Sequence, residues 1–274
     1  MIKPASDSFI ILSPLPADRP AVRAVLFDFD GTISTLRQGW EGVMEPLMVE
    51  MIAGAAAPAA ELLEEVRDYI DRSTGVQTIH QMVWLAETVA RYGLNPIVLD
   101  PWEYKAEYNR RLMLPVQARA QAIVEGRVAP EQFMIAGSRA FLDALRGAGV
   151  AMYVASGTDH ADVVREVGVL GLSDYFSEIA GAPAGSMDCS KEAVLRRLVQ
   201  DAGLRGQEVA VVGDGKVEIA LGREMGAVTL GLATDEVNGR GINPVKVARL
   251  ANAGAQAIAG DFGEIAAISG WLGV

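Results

Sequence analysis

Cysteine and basic residues are both scarce in this sequence. Cys189 is the one cysteine among 274 residues, which excludes an intrachain disulfide bond and suits a reducing cytoplasm. Only 24 lysines and arginines stand against 35 acidic residues, which gives a net charge of -11. Because so acidic a protein repels the phosphates of nucleic acids and of anionic membranes, we expect neither as a partner.

Long apolar runs are also missing. The longest candidate for a membrane span, residues 51–60, is too short for a bilayer and contains Pro58. The apolar residues 9–12 are too few for a signal-peptide core and precede several prolines. Half of the residues are hydrophobic, which is enough for the core of one large or two smaller domains. We expect a soluble cytoplasmic protein, monomeric or homodimeric, with residues 1–20 as an arm or an added edge strand.

Short apolar runs that end near Gly or Asp recur along the chain and are typical of buried strands. They lie at residues 22–27, 150–155, 209–212, 227–232 and, more weakly, 255–259. From residue 150 onward they alternate with helical patterns at residues 161–169, 192–202 and 245–253. This alternation predicts an α/β fold, in which a Rossmann-like parallel sheet has helices on both faces.

Residues 36–134 interrupt the alternation, because they contain amphipathic helical patterns and almost no strand-like run. We expect them to form an all-helical cap domain, inserted into an α/β core of residues 1–35 and 135–274. One pattern, residues 104–124, contains Pro115 and predicts a helix that is broken or kinked there. Since the insertion directly follows the first core strand, we expect it to act as a lid over the end of that strand.

The most informative run is Asp28-Phe29-Asp30-Gly31-Thr32, which follows a buried strand. In an open parallel sheet, ligands bind beyond the C-terminal ends of the strands. Asp28 and Asp30 are two residues apart, so in an extended chain their side chains point the same way. Two such carboxylates suit both Mg²⁺ and nucleophilic attack. The alternative is an ordinary Asp-Gly turn after a strand, and this run alone does not decide between them.

Two later segments offer groups that suit a phosphate. Ser156-Gly157-Thr158 follows a predicted strand and precedes a helix, whose N-terminus favours an anion. Lys191 opens another predicted helix, where the helix dipole disfavours a cation and therefore suggests another purpose, such as neutralising a phosphate. The alternatives are a cap or turn residue for Ser156 and a solvated surface side chain for Lys191.

The segment Gly213-Asp214-Gly215 repeats the pattern of a buried strand followed by an acid and a glycine. Glu218 lies four residues after Asp214, so a loop and the first helical turn could bring both carboxylates to one cation. Alternatively, Glu218 simply complements the dipole of the helix that it opens.

Taken in order, the motifs Asp-x-Asp-Gly-Thr, Ser-Gly-Thr, Lys and Gly-Asp-Gly-x-x-Glu resemble those of the haloacid dehalogenase-like superfamily. The resemblance covers residues 23–35 and 135–272. Residues 253–262 are similar to the closing segment of the phosphoglycolate-phosphatase-like branch of that superfamily. The resemblance also implies that the inserted helical block is a type-one cap.

This resemblance implies a Mg²⁺-dependent phosphatase for a small phosphorylated metabolite, either a sugar phosphate or a phosphoglycolate-like ester. Asp28 would attack phosphorus to form an aspartyl-phosphate, and Asp30 would act first as acid and then as base. Mg²⁺ would be held by Asp28, the backbone carbonyl of Asp30 and Asp214, with Glu218 close by or acting through water. The transferring phosphoryl oxygens would be bound by Thr32, Ser156, Gly157 and the catalytic Lys191.

Single residues distinguish this sequence from other branches of the superfamily. Dehalogenases lack the second aspartate, so Asp30 argues against them. Phosphonate-cleaving members replace that aspartate and use a cap lysine, whereas here Lys105 is the cap's one lysine and Asp30 is intact. A sugar phosphomutase shares all four motifs and stays open, as does a catalytically silent phosphate-binding or partner-binding protein.

Four further residues are candidates for substrate specificity. Arg37 follows the loop that carries Asp28 and Asp30, so it could contact a substrate. The alternative interpretation is a surface cation at a hinge. Arg72, Thr74 and Gln77 lie between two predicted helices, where type-one caps place their specificity loop. Their alternative is a helix-helix turn with solvated side chains.

Overall fold

The computed structural model of the chain describes residues 3–4, 8–187, 190–200 and 203–274. Cys189 lies outside them. Two compact units are present: a core unit of Met1–Gln38 with Ala120–Val274, and a helical unit of Gly39–Arg119. Residues 120–134, which the sequence suggests as the end of the cap, therefore group with the core unit.

One sheet runs through the described part of the core unit, with strand order β1-β2-β8-β7-β6-β3-β4-β5. The strands are β1 (Lys3–Pro4), β2 (Phe9–Ile11), β3 (Ala24–Phe27), β4 (Ala151–Asp159), β5 (Glu178–Ala182), β6 (Val209–Gly213), β7 (Val228–Leu232) and β8 (Ala257–Ala259). Strands β3 to β8 are parallel, whereas β2 pairs antiparallel with β8 and β1 pairs antiparallel with β2. The first residues of the chain thus add strands to one edge of a parallel sheet.

The helices fall into two groups. Those that begin in the helical unit are α1 (Glu41–Ala53), α2 (Ala60–Ser73), α3 (Thr78–Tyr92) and α4 (Pro101–Val124). Those of the core unit are α5 (Ser138–Gly147), α6 (His160–Val169), α7 (Ser190–Gln200), α8 (Lys216–Glu224), α9 (Pro244–Asn252) and α10 (Ile265–Leu272). No helix in the described ranges has both the length and the hydrophobicity that crossing a membrane requires.

Side chains of β3 alternate between two hydrophobic clusters, because successive residues of a strand point to opposite faces. Phe27 packs in one cluster with Phe141 of α5 and Val163 of α6. Leu26 packs in another with Leu195 of α7. Helices therefore cover both faces of the sheet, and the predicted fold class is confirmed.

The helical unit has a core of its own, to which α4 contributes one buried side chain per turn. These are Tyr104, Tyr108, Leu112 and Val116, spaced four residues apart. Pro115 lies inside α4, which continues through it as one helix. Of the predicted break or kink at Pro115, the break is wrong, because buried side chains on both sides of the proline stabilise the helix despite the backbone hydrogen bond that a proline removes.

Strand β4 is longer than its apolar run predicts. It continues through Ser156-Gly157-Thr158 to Asp159, and its pairing with β5 shifts register between Ala155 and Asp159. Ser156 therefore lies within an irregular strand and not in a turn after it. An irregular strand of this kind can aim polar side chains at a site beside the sheet.

Candidate active site

Three adjacent strands bring the predicted motifs to one edge of the sheet. Strand β3 lies between β6 and β4, and Phe27 is level with Val154 of β4 and Val212 of β6. Because all three strands are parallel, their C-terminal ends meet at the same edge. The chain reaches Asp28 directly after β3 and Asp214 directly after β6, so both lie where such sheets bind ligands.

Lys191 is buried against two of the carboxylates. Its side chain lies on the second residue of α7 and is only 3% exposed, so it is not a solvated surface lysine. Its Nζ lies 3.0 Å from Oδ1 of Asp28 and donates a hydrogen bond of 2.9 Å to Oε2 of Glu218. The two carboxylates offset the unfavourable helix dipole at this position.

The ionisation of this cluster follows from its burial and its charges. Burial raises the pKa of Asp28 well above its usual range, although the charge of Lys191 acts in the opposite direction. Burial lowers the pKa of Lys191, but the charges of Asp28 and Glu218 outweigh burial and raise it above its ordinary value. The two carboxylates therefore favour the charged form of Lys191 beside Asp28.

Asp28, Asp214 and Glu218 are all buried and offer ligand atoms within 4.8 Å of one another. Hard carboxylate oxygens are the ligands that Mg²⁺ prefers, so this donor set fits that ion. The loop of residues 28–32 lies close against it, because a Cβ on Gly31 would lie 2.5 Å from Oδ2 of Asp214. Glu218 also accepts a 2.6 Å hydrogen bond from the backbone N–H of Gly215, as its alternative role at the helix start predicts.

Asp30 has different surroundings from Asp28. Its Oδ2 accepts hydrogen bonds from the hydroxyls of Thr158, at 2.7 Å, and Ser156, at 3.4 Å. The Ser156 hydroxyl in turn accepts the backbone N–H of Thr158 at 3.0 Å. Strand β4 therefore holds one oxygen of Asp30 with two hydroxyls. Thr158 belongs to the Ser-Gly-Thr motif, but the resemblance gave it no role of its own.

Thr32 and Gly157 lie beside these acids in the sequence. Thr32 is fully buried, and its Oγ1 has no hydrogen-bond partner in the part of the chain that the structure describes. Since buried hydroxyls are nearly always hydrogen-bonded, this atom is suited to a bound ligand. Gly157 is half-buried next to Ser156 in β4.

A second buried lysine, Lys246, was not among the sequence candidates. It lies in the first turn of α9, and its Nζ donates a 2.8 Å hydrogen bond to Oδ2 of Asp214 and another to Glu236. Burial lowers the pKa of Lys246, but the charges of Asp214 and Glu236 outweigh it and raise that pKa. Like Lys191, Lys246 lies in the first turn of a helix, where the helix dipole disfavours a cation. The same sequence signal could therefore have identified it.

Arg37 belongs to the core unit and is buried against α6. Its guanidinium donates hydrogen bonds to Glu166, the shortest at 2.7 Å, and one to Asp162 at 3.3 Å. Burial lowers the pKa of Arg37, but the charges of Asp30 and Glu166 raise it above its ordinary value. Burial raises the pKa of Glu166 to about 7 against the charge of Arg37. The surface-cation alternative for Arg37 is therefore wrong.

The other three specificity candidates lie in the helical unit, at the end of α2 and before α3. Arg72 is exposed and donates a hydrogen bond to the backbone carbonyl of Asp68. Thr74 is half-buried and donates to the carbonyl of Ile70 at 3.1 Å, whereas Gln77 is buried immediately before α3. Their role in recognition stays a prediction.

The core unit is a Rossmann-like α/β fold with a buried carboxylate-lysine cluster at the C-terminal ends of its strands. The chain belongs to the haloacid dehalogenase-like hydrolase family, whose family model matches residues 22–226. The superfamily predicted from the four motifs is thus confirmed. No curated protein sequence matches the chain.

Several solved structures share the fold over nearly their whole length. A predicted phosphoglycolate phosphatase from Haemophilus somnus 129PT has a TM-score of 0.62 at 16% identity, covering 90% of this chain and 98% of its own. For the β-phosphoglucomutase of Clostridium difficile the TM-score is 0.60 at 14% identity, with coverages of 92% and 97%. A family hydrolase from Deinococcus radiodurans R1, solved with bound phosphate and sodium, has a TM-score of 0.53 at 20% identity, with coverages of 92% and 96%. At such identities these similarities establish the fold.

Proposed function

We propose that this protein is a Mg²⁺-dependent phosphatase, which hydrolyses a small phosphorylated metabolite through an aspartyl-phosphate on Asp28. The observation that carries the proposal is the pairing of Asp28 with Lys191 at 3.0 Å, in a buried site that also holds Asp214 and Glu218. The charge of Lys191 favours the ionised form of Asp28, the form that a nucleophile needs, and so acts against the burial that raises the pKa of Asp28.

The reaction takes place in two displacements. In the first, an Asp28 oxygen attacks phosphorus, the ester P–O bond breaks, and Asp30 gives its proton to the departing alkoxide. In the second, Asp30 takes a proton from a water molecule, whose oxygen attacks the phosphorus of the aspartyl-phosphate. Inorganic phosphate leaves and the Asp28 carboxylate is restored.

The remaining groups neutralise and orient the phosphoryl group. The unsatisfied Thr32 hydroxyl, the Ser156 hydroxyl, the Gly157 backbone and the Lys191 ammonium are assigned to its equatorial oxygens. Phosphoryl transfer depends mainly on such positioning and on charge neutralisation.

The Asp28 and Asp214 carboxylates and the Asp30 backbone carbonyl are assigned to Mg²⁺, with Glu218 beside them. When bound, Mg²⁺ supplies positive charge that stabilises the phosphoryl oxygens. Lys246 already neutralises one oxygen of Asp214, which limits repulsion between the buried carboxylates when the ion is absent.

We assign the choice of substrate to the helical unit as a specificity cap, through Arg72, Thr74 and Gln77. Each of these residues carries polar groups that suit an alcohol or sugar portion of an ester. We expect Arg72→Ala and Gln77→Ala to change the relative kcat/KM among esters. They do not alter the chemistry of phosphoryl transfer.

The test is a panel of sugar phosphates, phosphoglycolate and p-nitrophenyl phosphate, assayed with Mg²⁺. We expect wild type to release phosphate from at least one ester, and Asp28→Asn to lose roughly 10³-fold or more in kcat. Asp18→Asn, the same change at an exposed aspartate of the core unit, is the matched control and should keep full activity. Equal turnover by wild type and Asp28→Asn would refute the mechanism.

The same panel separates the other two functions. Conversion of a sugar 1-phosphate to a 6-phosphate without release of phosphate would identify a phosphomutase. Binding of esters without any turnover would identify a catalytically silent phosphate-binding protein.

A further inference from the structure

Behind Asp30 lies a buried ion pair that the proposed mechanism does not use. Arg37 is 9% exposed and Glu166 is 1% exposed. The Arg37 guanidinium donates to both carboxylate oxygens of Glu166, from Nε at 3.2 and 3.1 Å and from a terminal nitrogen at 2.7 Å. Such a paired arrangement fixes the guanidinium in one orientation.

The fixed guanidinium faces the oxygen of Asp30 that β4 does not hold. Oδ1 of Asp30 lies 3.9 Å from Nε of Arg37 and is buried without a hydrogen-bond partner in the described ranges. Oδ2 is held by the hydroxyls of Thr158 and Ser156. One oxygen is therefore oriented by hydrogen bonds and the other by a positive charge.

Stability alone does not explain this pair. Two charges taken out of water lose their hydration, and buried ion pairs can often be replaced by apolar residues without loss of stability. What an apolar pair would not supply is the positive charge beside Asp30.

We propose that Arg37, held in place by Glu166, is a positioning residue that keeps the Asp30 carboxylate in one orientation. The inference rests on the proposed function, in which Asp30 gives and takes the proton. It replaces the prediction that Arg37 contacts the substrate. A specificity residue changes KM and the preference among esters, whereas a positioning residue for Asp30 changes the same step for every ester.

The test uses p-nitrophenyl phosphate and acetyl phosphate with Mg²⁺. Their leaving groups, nitrophenolate and acetate, depart without a proton, so only the hydrolysis of the aspartyl-phosphate needs Asp30. If Arg37 positions Asp30, Arg37→Met should lower kcat about 10- to 100-fold by the same factor for both probes, with no rise in KM. The steady-state fraction of acid-trapped phosphoenzyme should rise.

Arg37→Met alone leaves Glu166 buried without its cation and is expected to unfold more easily. The double variant Arg37→Met/Glu166→Leu removes both charges and recovers thermal stability. We expect it to keep the low kcat and the raised phosphoenzyme fraction. The matched control is Arg139→Met, which removes an arginine bound to Glu131 and to the carbonyl of Leu170 at the other end of α6. It should leave both readouts at the wild-type level.

A double variant with wild-type kcat would overturn the inference, because a purely structural pair loses nothing once stability returns. A raised KM, or unequal losses for the two probes, would restore the specificity role. If wild type turns over neither probe nor any ester of the panel, the proposed function fails and the inference falls with it. An active wild type with an equally active double variant is a different outcome, because it refutes the inference and leaves the proposed function standing.

Discussion

At the scale of single residues, Asp28 and Asp30 have opposite surroundings although only Phe29 separates them. Asp28 is buried beside the cation of Lys191, whereas Asp30 is half-buried and bonded to the hydroxyls of β4. Two carboxylates in different environments can take different roles at one pH. The proposed division into a nucleophile, Asp28, and an acid-base group, Asp30, assigns different roles to two carboxylates that have different contacts.

Gly31, between Asp30 and Thr32, gives a residue-scale prediction. Its φ is +74°, and a Cβ there would lie 2.5 Å from Oδ2 of Asp214. Gly31→Ala should cost about 1 kcal/mol of stability through its backbone conformation. Because Asp214 must also move, kcat should fall at least about tenfold. Urea unfolding and phosphatase assays measure the two effects.

Gly149→Ala is the matched control for Gly31→Ala. Gly149 has a φ of +72°, and a Cβ there would meet nothing within 4 Å. It should lose similar stability and keep its activity. Equal activity in both variants would show that the close approach of Gly31 to Asp214 does not affect phosphatase activity.

At the scale of elements, two helices each bring a lysine to the carboxylates at the strand ends. Lys191 lies in the first turn of α7, and Lys246 lies in the first turn of α9. Asn243 caps α9, because its side-chain oxygen accepts the backbone N–H groups of Val245, at 3.0 Å, and Lys246, at 3.4 Å. The cap therefore fixes the turn that holds Lys246 beside Asp214.

Removing this cap gives a prediction at the element scale. Asn243→Ala should lower the free energy of unfolding by about 1 kcal/mol, because it leaves N–H groups of the first turn unsatisfied. Asn243→Asp keeps an acceptor oxygen and should stay within about 0.5 kcal/mol of wild type. Urea denaturation monitored by circular dichroism measures both, and an unchanged Asn243→Ala would contradict the cap.

The strands that lie in apolar runs were predictable from the sequence, as β3, β6 and β7 are. Strand β5 was missed, because Glu-Ile-Ala-Gly-Ala at Glu178–Ala182 has one large apolar residue and no alternation. The added edge strand was one of two expectations for residues 1–20. Its pairing with β8 depends on residues almost the whole chain away, which no local pattern reveals.

The residues of the candidate site also fall into two groups, those that the sequence predicts and those that it does not. Asp28, Lys191 and Asp214 were predictable because each follows a strand or opens a helix in a known motif. The contacts of Glu166 with Arg37 and of Lys246 with Asp214 join residues 129 and 32 positions apart. Only the fold brings such pairs together, so one sequence could not identify them.

At the scale of the whole molecule, an acidic protein of net charge -11 concentrates carboxylates in one buried cluster. A cation that binds only the folded chain stabilises it. At about 100 times its Kd, Mg²⁺ should contribute about 2.7 kcal/mol and raise the Tm by several degrees. Asp214→Asn should lose most of this rise, whereas Asp18→Asn should keep it. An equal rise in Asp214→Asn would place the ion elsewhere.

The formation of an aspartyl-phosphate on Asp28 is the central claim, and chemical trapping tests it most directly. Wild type is mixed with acetyl phosphate and Mg²⁺, quenched in acid and reduced with borohydride, which converts an aspartyl-phosphate to homoserine. Peptide mass spectrometry then locates the modified position. We expect the modification at Asp28 and at neither Asp30 nor Asp214. Phosphate release with an unmodified Asp28, or modification at another aspartate, would contradict the mechanism.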